Sequence, residues 1–198
     1  MLKGNPGLVA AEFTAGRGIA QPIHHWQSIP VAKLLVDGGA DVNALTTVHE
    51  GETPLNLKVR FGTLDHVRFL LEHEADPNLR PAMCIASESM SEIIVLLQEF
   101  GWDIRRGAML HHDANHGFGK RIQTWLEHGA DPNWKDERGR TALHVLAMRG
   151  TGESGINALI EAGVHVDNRD ESGKTAMDYA RAAEKQVARR VLERLGSE

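Results

Sequence analysis

The chain has 198 residues, 41% apolar and 25% charged, a composition that excludes a disordered or collagen-like polymer. Its net charge of -5, from 22 Lys and Arg against 27 Asp and Glu, opposes the phosphate contacts of nucleic-acid binding. The single cysteine, Cys84, excludes an internal disulfide and a cysteine-built zinc site, while 20 glycines against only 5% aromatic residues imply many turns and few bulky anchors.

Residues 1–14 carry one cation, Lys3, and no apolar run of signal-peptide length, and the longest compact apolar stretch, 93–97, is far short of a membrane span. A cytoplasmic location in a reducing compartment is therefore expected. Residues 7–13 read as a first short helix, and 31–36 as part of a second. Between them, 14–29 reads as an insertion, rich in the turn formers Gly16, Gly18 and Pro22 and carrying His24-His25-Trp26. A loop covering the exposed end of a helical stack is its expected role.

The second helix stops at Gly39-Ala40-Asp41-Val42-Asn43, and this string returns as Ala75-Asp76-Pro77-Asn78 and Gly129-Ala130-Asp131-Pro132-Asn133. Weaker copies are Gly101-Trp102-Asp103-Ile104 and Gly163-Val164-His165-Val166-Asp167. Each copy follows an amphipathic segment. The glycine supplies the positive φ that ends a helix, and Asp or Asn holds the turn by bonding to nearby backbone. A second string opens the units: Gly51-Glu52-Thr53-Pro54-Leu55-Asn56, Gly139-Arg140-Thr141-Ala142-Leu143-His144 and Gly173-Lys174-Thr175-Ala176-Met177-Asp178. Its Thr is a helix N-cap, and Pro54 fits the first helical position, where a missing N–H is harmless.

With these linked motifs the chain resembles the ankyrin-repeat family over nearly its whole length. The resemblance implies an all-α solenoid of stacked helix-turn-helix units with short β-turn fingers, about five repeats plus a C-terminal capping helix in one domain. Unit boundaries fall near 1–43, 44–78, 79–105, 106–133, 134–168 and 169–198, the last being the cap. The units 79–105 and 106–133 are about six residues short of the family's length and lack the Gly-x-Thr opening, so their fingers are expected to be cut back. Helical content survives there in Ala82-Met83-Cys84-Ile85-Ala86 and Met109-Leu110-His111-His112. At the C-terminus, Ala180, Ala183, Val187, Val191 and Leu195 form an apolar stripe read as the capping helix, with Arg and Lys on its solvated face.

His112 and His116, at i and i+4, have the spacing at which two imidazoles can bind one metal, but no third ligand stands at a fixed offset and no His-Glu-x-x-His string occurs. His111 occupies the family's His slot, where the ring bridges backbone groups between repeats. No metal and no cofactor are expected. Gly173-Lys174-Thr175 copies the end of a phosphate loop without its leading glycine and is explained by the repeat. Lys58 and Asp113 place charges where the family has a small residue between helices, so each needs a partner.

The resemblance implies partner binding on the concave side. The matching helix positions are Arg60 and Phe61, Glu88 and Ser89, Asn115 and His116, and Met148 and Arg149; the finger positions include Trp134, Glu137 and Arg138. Arg60, Phe61, Met148 and Arg149 are residue types enriched in interface cores, and His116 is a further candidate contact. If two neighbouring fingers are missing, a notch lined by Lys58, His111, Asp113 and His116 could admit a protruding partner element. The expected function is non-catalytic binding of another protein with a basic or neutral face, and not of nucleic acid, membrane or small-molecule substrate. A free-standing acidic module suits a stoichiometric antagonist, such as an immunity protein that inhibits a toxin or enzyme. A scaffold or adaptor joining two partners is the alternative within binding proteins. From another class, the alternative is a His-based metalloenzyme at His111, His112 and His116.

Overall fold

A computed structural model describes residues 13–15, 18–46, 51–79, 90–105, 108–150, 152–184 and 186–195. The chain packs as two compact units divided between Trp102 and Asp103. Among its described residues, the first unit holds a small antiparallel hairpin, β1 (Phe13–Ala15) and β2 (Gly18–Ala20), and five helices: α1 (Pro22–His25), α2 (Ile29–Asp37), α3 (Pro54–Phe61), α4 (Leu64–Glu72) and α5 (Met90–Glu99). The second unit holds α6 (Ala108–His116), α7 (Gly119–Glu127), α8 (Ala142–Arg149), α9 (Glu153–Glu161), α10 (Ala176–Ala182) and α11 (Gln186–Leu195). Apart from the hairpin, the described secondary structure is α-helical.

Within the second unit the helices form two layers, with α6, α8 and α10 in one row and α7, α9 and α11 in the other. Each layer buries the apolar stripe of its helices against the other, so the core lies between the rows. Leu110, Leu143 and Leu146 meet Ile122, Trp125, Ile156 and Leu159 there, all at most 1% exposed. Two glycines set the spacing of α7 and α9. A Cβ on Gly119 would stand 2.0 Å from Ser154 Oγ and 2.9 Å from Gly155 N, so only a hydrogen fits.

Histidines join successive repeats within each unit. The N–H of Thr141 donates to His144 Nδ1 at 3.1 Å, which leaves Nε2–H to donate to the Lys174 carbonyl at 3.2 Å. His24 repeats the arrangement, with Gln21 N–H on Nδ1 at 3.1 Å and Nε2 donating to the Ala44 carbonyl at 2.9 Å. Burial lowers the pKa of both rings, despite carbonyl contacts that favour the charged form. Gln21-Pro22-Ile23-His24 is thus a helix-opening string of the same kind as those at Thr53, Thr141 and Thr175. The segment 14–29 is therefore not a plain covering loop: it contains β2, α1 and the start of α2. Of the first helix expected over 7–13, only Phe13 is described, and it lies in β1.

Asparagines make a second set of joints. Asn43 N–H bonds to Asp41 Oδ1 at 2.8 Å, and its side chain donates to Glu74 O at 3.0 Å and accepts from Asp76 N at 2.8 Å. Asn78 donates to Gly101 O at 2.9 Å, and Asn133 donates to Gly163 O at 3.2 Å while accepting from His165 N at 2.7 Å. Arg105 holds the corresponding slot and folds back on its own Asp103, with Nε 2.9 Å from Oδ1.

Two fingers are fully described. Asp136 N–H donates to Arg140 O, and Asp170 N–H to Lys174 O, with Gly139 and Gly173 at φ of +71° and +75°. Burial works against ionisation of Asp136, but bonds from Arg140 and from backbone N–H groups outweigh it and hold the carboxyl below its usual range. The expected first helix around Cys84 lies outside the described residues. The C-terminal stripe differs from the single helix read from sequence, because α10 and α11 are separated at Glu184, whose φ is +54°. Ala180, Ala188, Val191 and Leu192 bury the apolar sides of this pair.

Candidate binding surface

In the first unit, Phe61 ends α3 and is 76% exposed. Thr53 starts that helix by accepting the Asn56 N–H at 3.2 Å, and Pro54 fills its first turn. Arg60 pairs with the carboxylate of Glu52, whose backbone N–H donates to the Thr46 hydroxyl oxygen at 3.0 Å, and the Arg60 guanidinium stands 5.3 Å from the Phe61 ring centre. Among the described residues, Arg60 Nε is buried without a hydrogen-bond partner. The aromatic ring and the cation are therefore presented together by a fixed support.

Lys58 turns the other way. Its Nζ donates to the Trp26 carbonyl at 2.5 Å and lies 4.4 Å from the Trp26 ring centre, an interaction of cation and π-face. Burial lowers its pKa, and its charge in turn adds to the burial that lowers the pKa of His66, whose ring meets Trp26 edge-on at 4.7 Å.

In the second unit Asp113 is 0% exposed and is not left unpaired. It accepts from Trp125 Nε1 at 2.7 Å, from Arg121 Nε at 3.0 Å and from His112 Nδ1 at 3.1 Å. Arg121 and Trp125, one turn apart on α7, present both donors from a single face. The rings of His112 and His116 lie 4.4 Å apart, and His116 stacks on Phe118 at 5.6 Å, with Arg121 5.4 Å from the Phe118 centre. His116 Nδ1 donates to His112 O at 2.8 Å. His111 Nε2 bonds to Arg140 O at 2.6 Å, and its ring meets the half-buried Trp134 at 4.9 Å.

Arg149 ends α8 and makes two bonds to Asn115 Oδ1, at 2.9 and 2.5 Å, tying the ends of α6 and α8 together. Met148 is half-buried beside it, and Glu137 and Arg138 are exposed at the finger tip. Glu171 N–H donates to Arg138 O at 3.1 Å, so adjacent fingers are joined through their backbones. The set proposed from sequence is thus divided: Arg60, Phe61 and Lys58 belong to the first unit, and His111, Asp113, His116, Trp134, Glu137, Arg138, Met148 and Arg149 to the second. Glu88 and Ser89 lie outside the described residues. Sequence reading missed Glu52, Phe118 and Arg121, which support or extend the surface.

The metalloenzyme alternative gains no support. His111 is committed to a backbone carbonyl, and among the described residues no group of three His, Cys, Asp or Glu is placed to hold a metal ion. Among the same residues no helix is long and apolar enough to cross a membrane.

The family model described as ankyrin repeats (3 copies) matches residues 23–107 and again 110–198. The chain is 34% identical over 109 residues, 49% of its length, to ankyrin repeat protein nuc-2 of Neurospora crassa. It is 37% identical over 83 residues, 41% of its length, to human SH3 and multiple ankyrin repeat domains protein 2. The E3 ubiquitin-protein ligase KEG of Arabidopsis thaliana is 28% identical over 172 residues, 74% of the chain. The matched parts are 10%, 4% and 10% of those proteins, so the chain spans a tenth or less of each. Ankyrin repeats are generally non-catalytic modules for protein–protein interaction, and some relatives join them to other domains. With both family matches spanning most of its length, and with the helix pairs, fingers and joints seen here, the chain belongs to the ankyrin-repeat family.

Proposed function

We propose that the chain binds a partner protein through the helix ends and finger tips, with Phe61 and Arg60 as anchors in the first unit and Asn115, His116, Met148 and Arg149 in the second. The carrying observation is Phe61, which is 76% exposed beside an arginine already fixed by Glu52. Burying an exposed ring stabilises a complex by removing apolar area from water, and a pre-fixed arginine loses little rotamer freedom on binding. Trp134, Glu137 and Arg138 extend the same surface along the finger. The net charge of -5 favours a partner with a basic or neutral face.

The role that fits such a surface is stoichiometric antagonism in the cytoplasm, in which the bound module covers the active site of a toxin or enzyme in the manner of an immunity protein. Partner capture from the native host, followed by titration of the captured enzyme's activity, tests this. The expected result is loss of activity complete at one equivalent, with F61A and H116A weakening the complex while the thermal midpoint stays nearly constant. Retention of full activity in the complex would instead make the chain a scaffold. Equal loss of binding and stability in both variants would make Phe61 and His116 structural residues.

A further inference from the structure

Helices α4 and α5 of the first unit leave an open groove of about 320 Å³ between them, lined by none of the residues assigned above. Its floor is apolar. Leu64 and Leu96 line it, and Val95 projects with 45% of its surface exposed. Its two walls carry opposite charge. Arg68 stands on the α4 side, and Glu92 and Glu99 stand on the α5 side, seven residues and therefore about 10 Å apart along the helix. All three are exposed, and none forms an ion pair with a described residue. The unit around them is acidic, since residues 1–102 carry 7 Lys and Arg against 12 Asp and Glu, whereas the remainder carries 15 of each.

We infer that this groove docks a basic amphipathic helix of a partner protein. An apolar residue of that helix covers Val95, Lys or Arg side chains about two turns apart meet Glu92 and Glu99, and a neutral or acidic flank faces Arg68. The charges fix which partner helices are accepted, and the apolar floor supplies the burial that holds them. This surface is additional to the helix-end positions, so one chain can engage two elements of a partner or two partners at once.

The test uses the full chain and a synthetic helical peptide of roughly five turns. It has a leucine stripe, lysines on one flank and glutamates on the other; a control peptide carries glutamates on both flanks. Amide shifts on addition of the lysine peptide should be confined to α4 and α5. The E92K/E99K variant should bind the lysine peptide about tenfold more weakly and the control more tightly, with an unchanged unfolding midpoint. Absence of binding, shifts centred elsewhere, or equal affinity for the two peptides would overturn the proposal. So would concentration-dependent self-association that Val95→Gln abolishes, because the groove would then belong to a second copy of this chain.

Discussion

The indole N–H of Trp125 donates to the carboxylate of Asp113 at 2.7 Å, and neither side chain reaches solvent. The acid replaces what would otherwise be a small apolar contact between α6 and α7 by a polar joint completed by Arg121 and His112. Removing the acid strands the buried indole donor and the largely covered guanidinium. Asp113→Ala is expected to cost about 3 kcal/mol in urea unfolding. Trp125→Phe leaves the carboxylate two donors and should cost less, about 2 kcal/mol.

Acid should loosen the histidine joints. In His144 the Nδ1 lone pair accepts the Thr141 N–H, so protonating that nitrogen breaks the cap. Burial puts the folded pKa below the ordinary imidazole value of about 6.5, which means that below that pH the unfolded chain binds more protons than the folded one. The contribution is thus complete above the unfolded pKa and is lost as pH falls through the folded pKa. Urea midpoints measured between about pH 7.5 and about pH 5 should decline. In His144→Gln, which keeps a capping side chain without a titrating ring, the decline should be shallower, with the remainder carried by His24.

Asn133→Ala removes the bond to Gly163 O and the acceptor of His165 N, both at a partly open site. A loss of about 1–2 kcal/mol is expected. Hydrogen exchange should quicken at the His165 amide, and the turn made by Asp131 with the Asn133 N–H should persist, because it uses the backbone of Asn133 alone.

Gly119→Ala forces a methyl against Ser154 Oγ and the Gly155 backbone. The serine can rotate away; the backbone cannot. A destabilisation of about 1–3 kcal/mol is expected. Pairing it with Ser154→Ala should recover only part of the loss, and full recovery would show that the side chain alone set the contact.

Much of this architecture is written in short windows. The strings ending at Asn43, Asn78 and Asn133 predict a helix stop and an Asp-held turn, and both are present, because their bonds join residues two positions apart. His111 could be placed at its carbonyl from the same kind of slot. The opening at Gln21 is not legible in the sequence, because glutamine stands in place of threonine and Ile19 stands two positions before it, where the other strings have Gly51, Gly139 and Gly173. Apolar spacing through 180–195 concealed the break at Glu184, since two helices joined by a tight turn can keep one stripe nearly in phase. Two of the three donors to Asp113, Arg121 and Trp125, come from positions eight and twelve residues later, across a helix turn, where no local pattern points to them. Phe61 was legible as an exposed aromatic, but the tether of Arg60 to Glu52 depends on how the segment before Thr53 folds.

The asparagine joints reach main-chain atoms, the carbonyls of Glu74, Gly101 and Gly163 and the amides of Asp76 and His165. These connectors read mostly backbone, with one side-chain contact in which Asn168 Nδ2 donates to Asn133 Oδ1 at 3.1 Å, so they depend little on the side chains of the module they join. Solvent-facing positions of any repeat can therefore be rewritten without re-engineering its neighbours, which makes recognition interchangeable while the couplings stay constant.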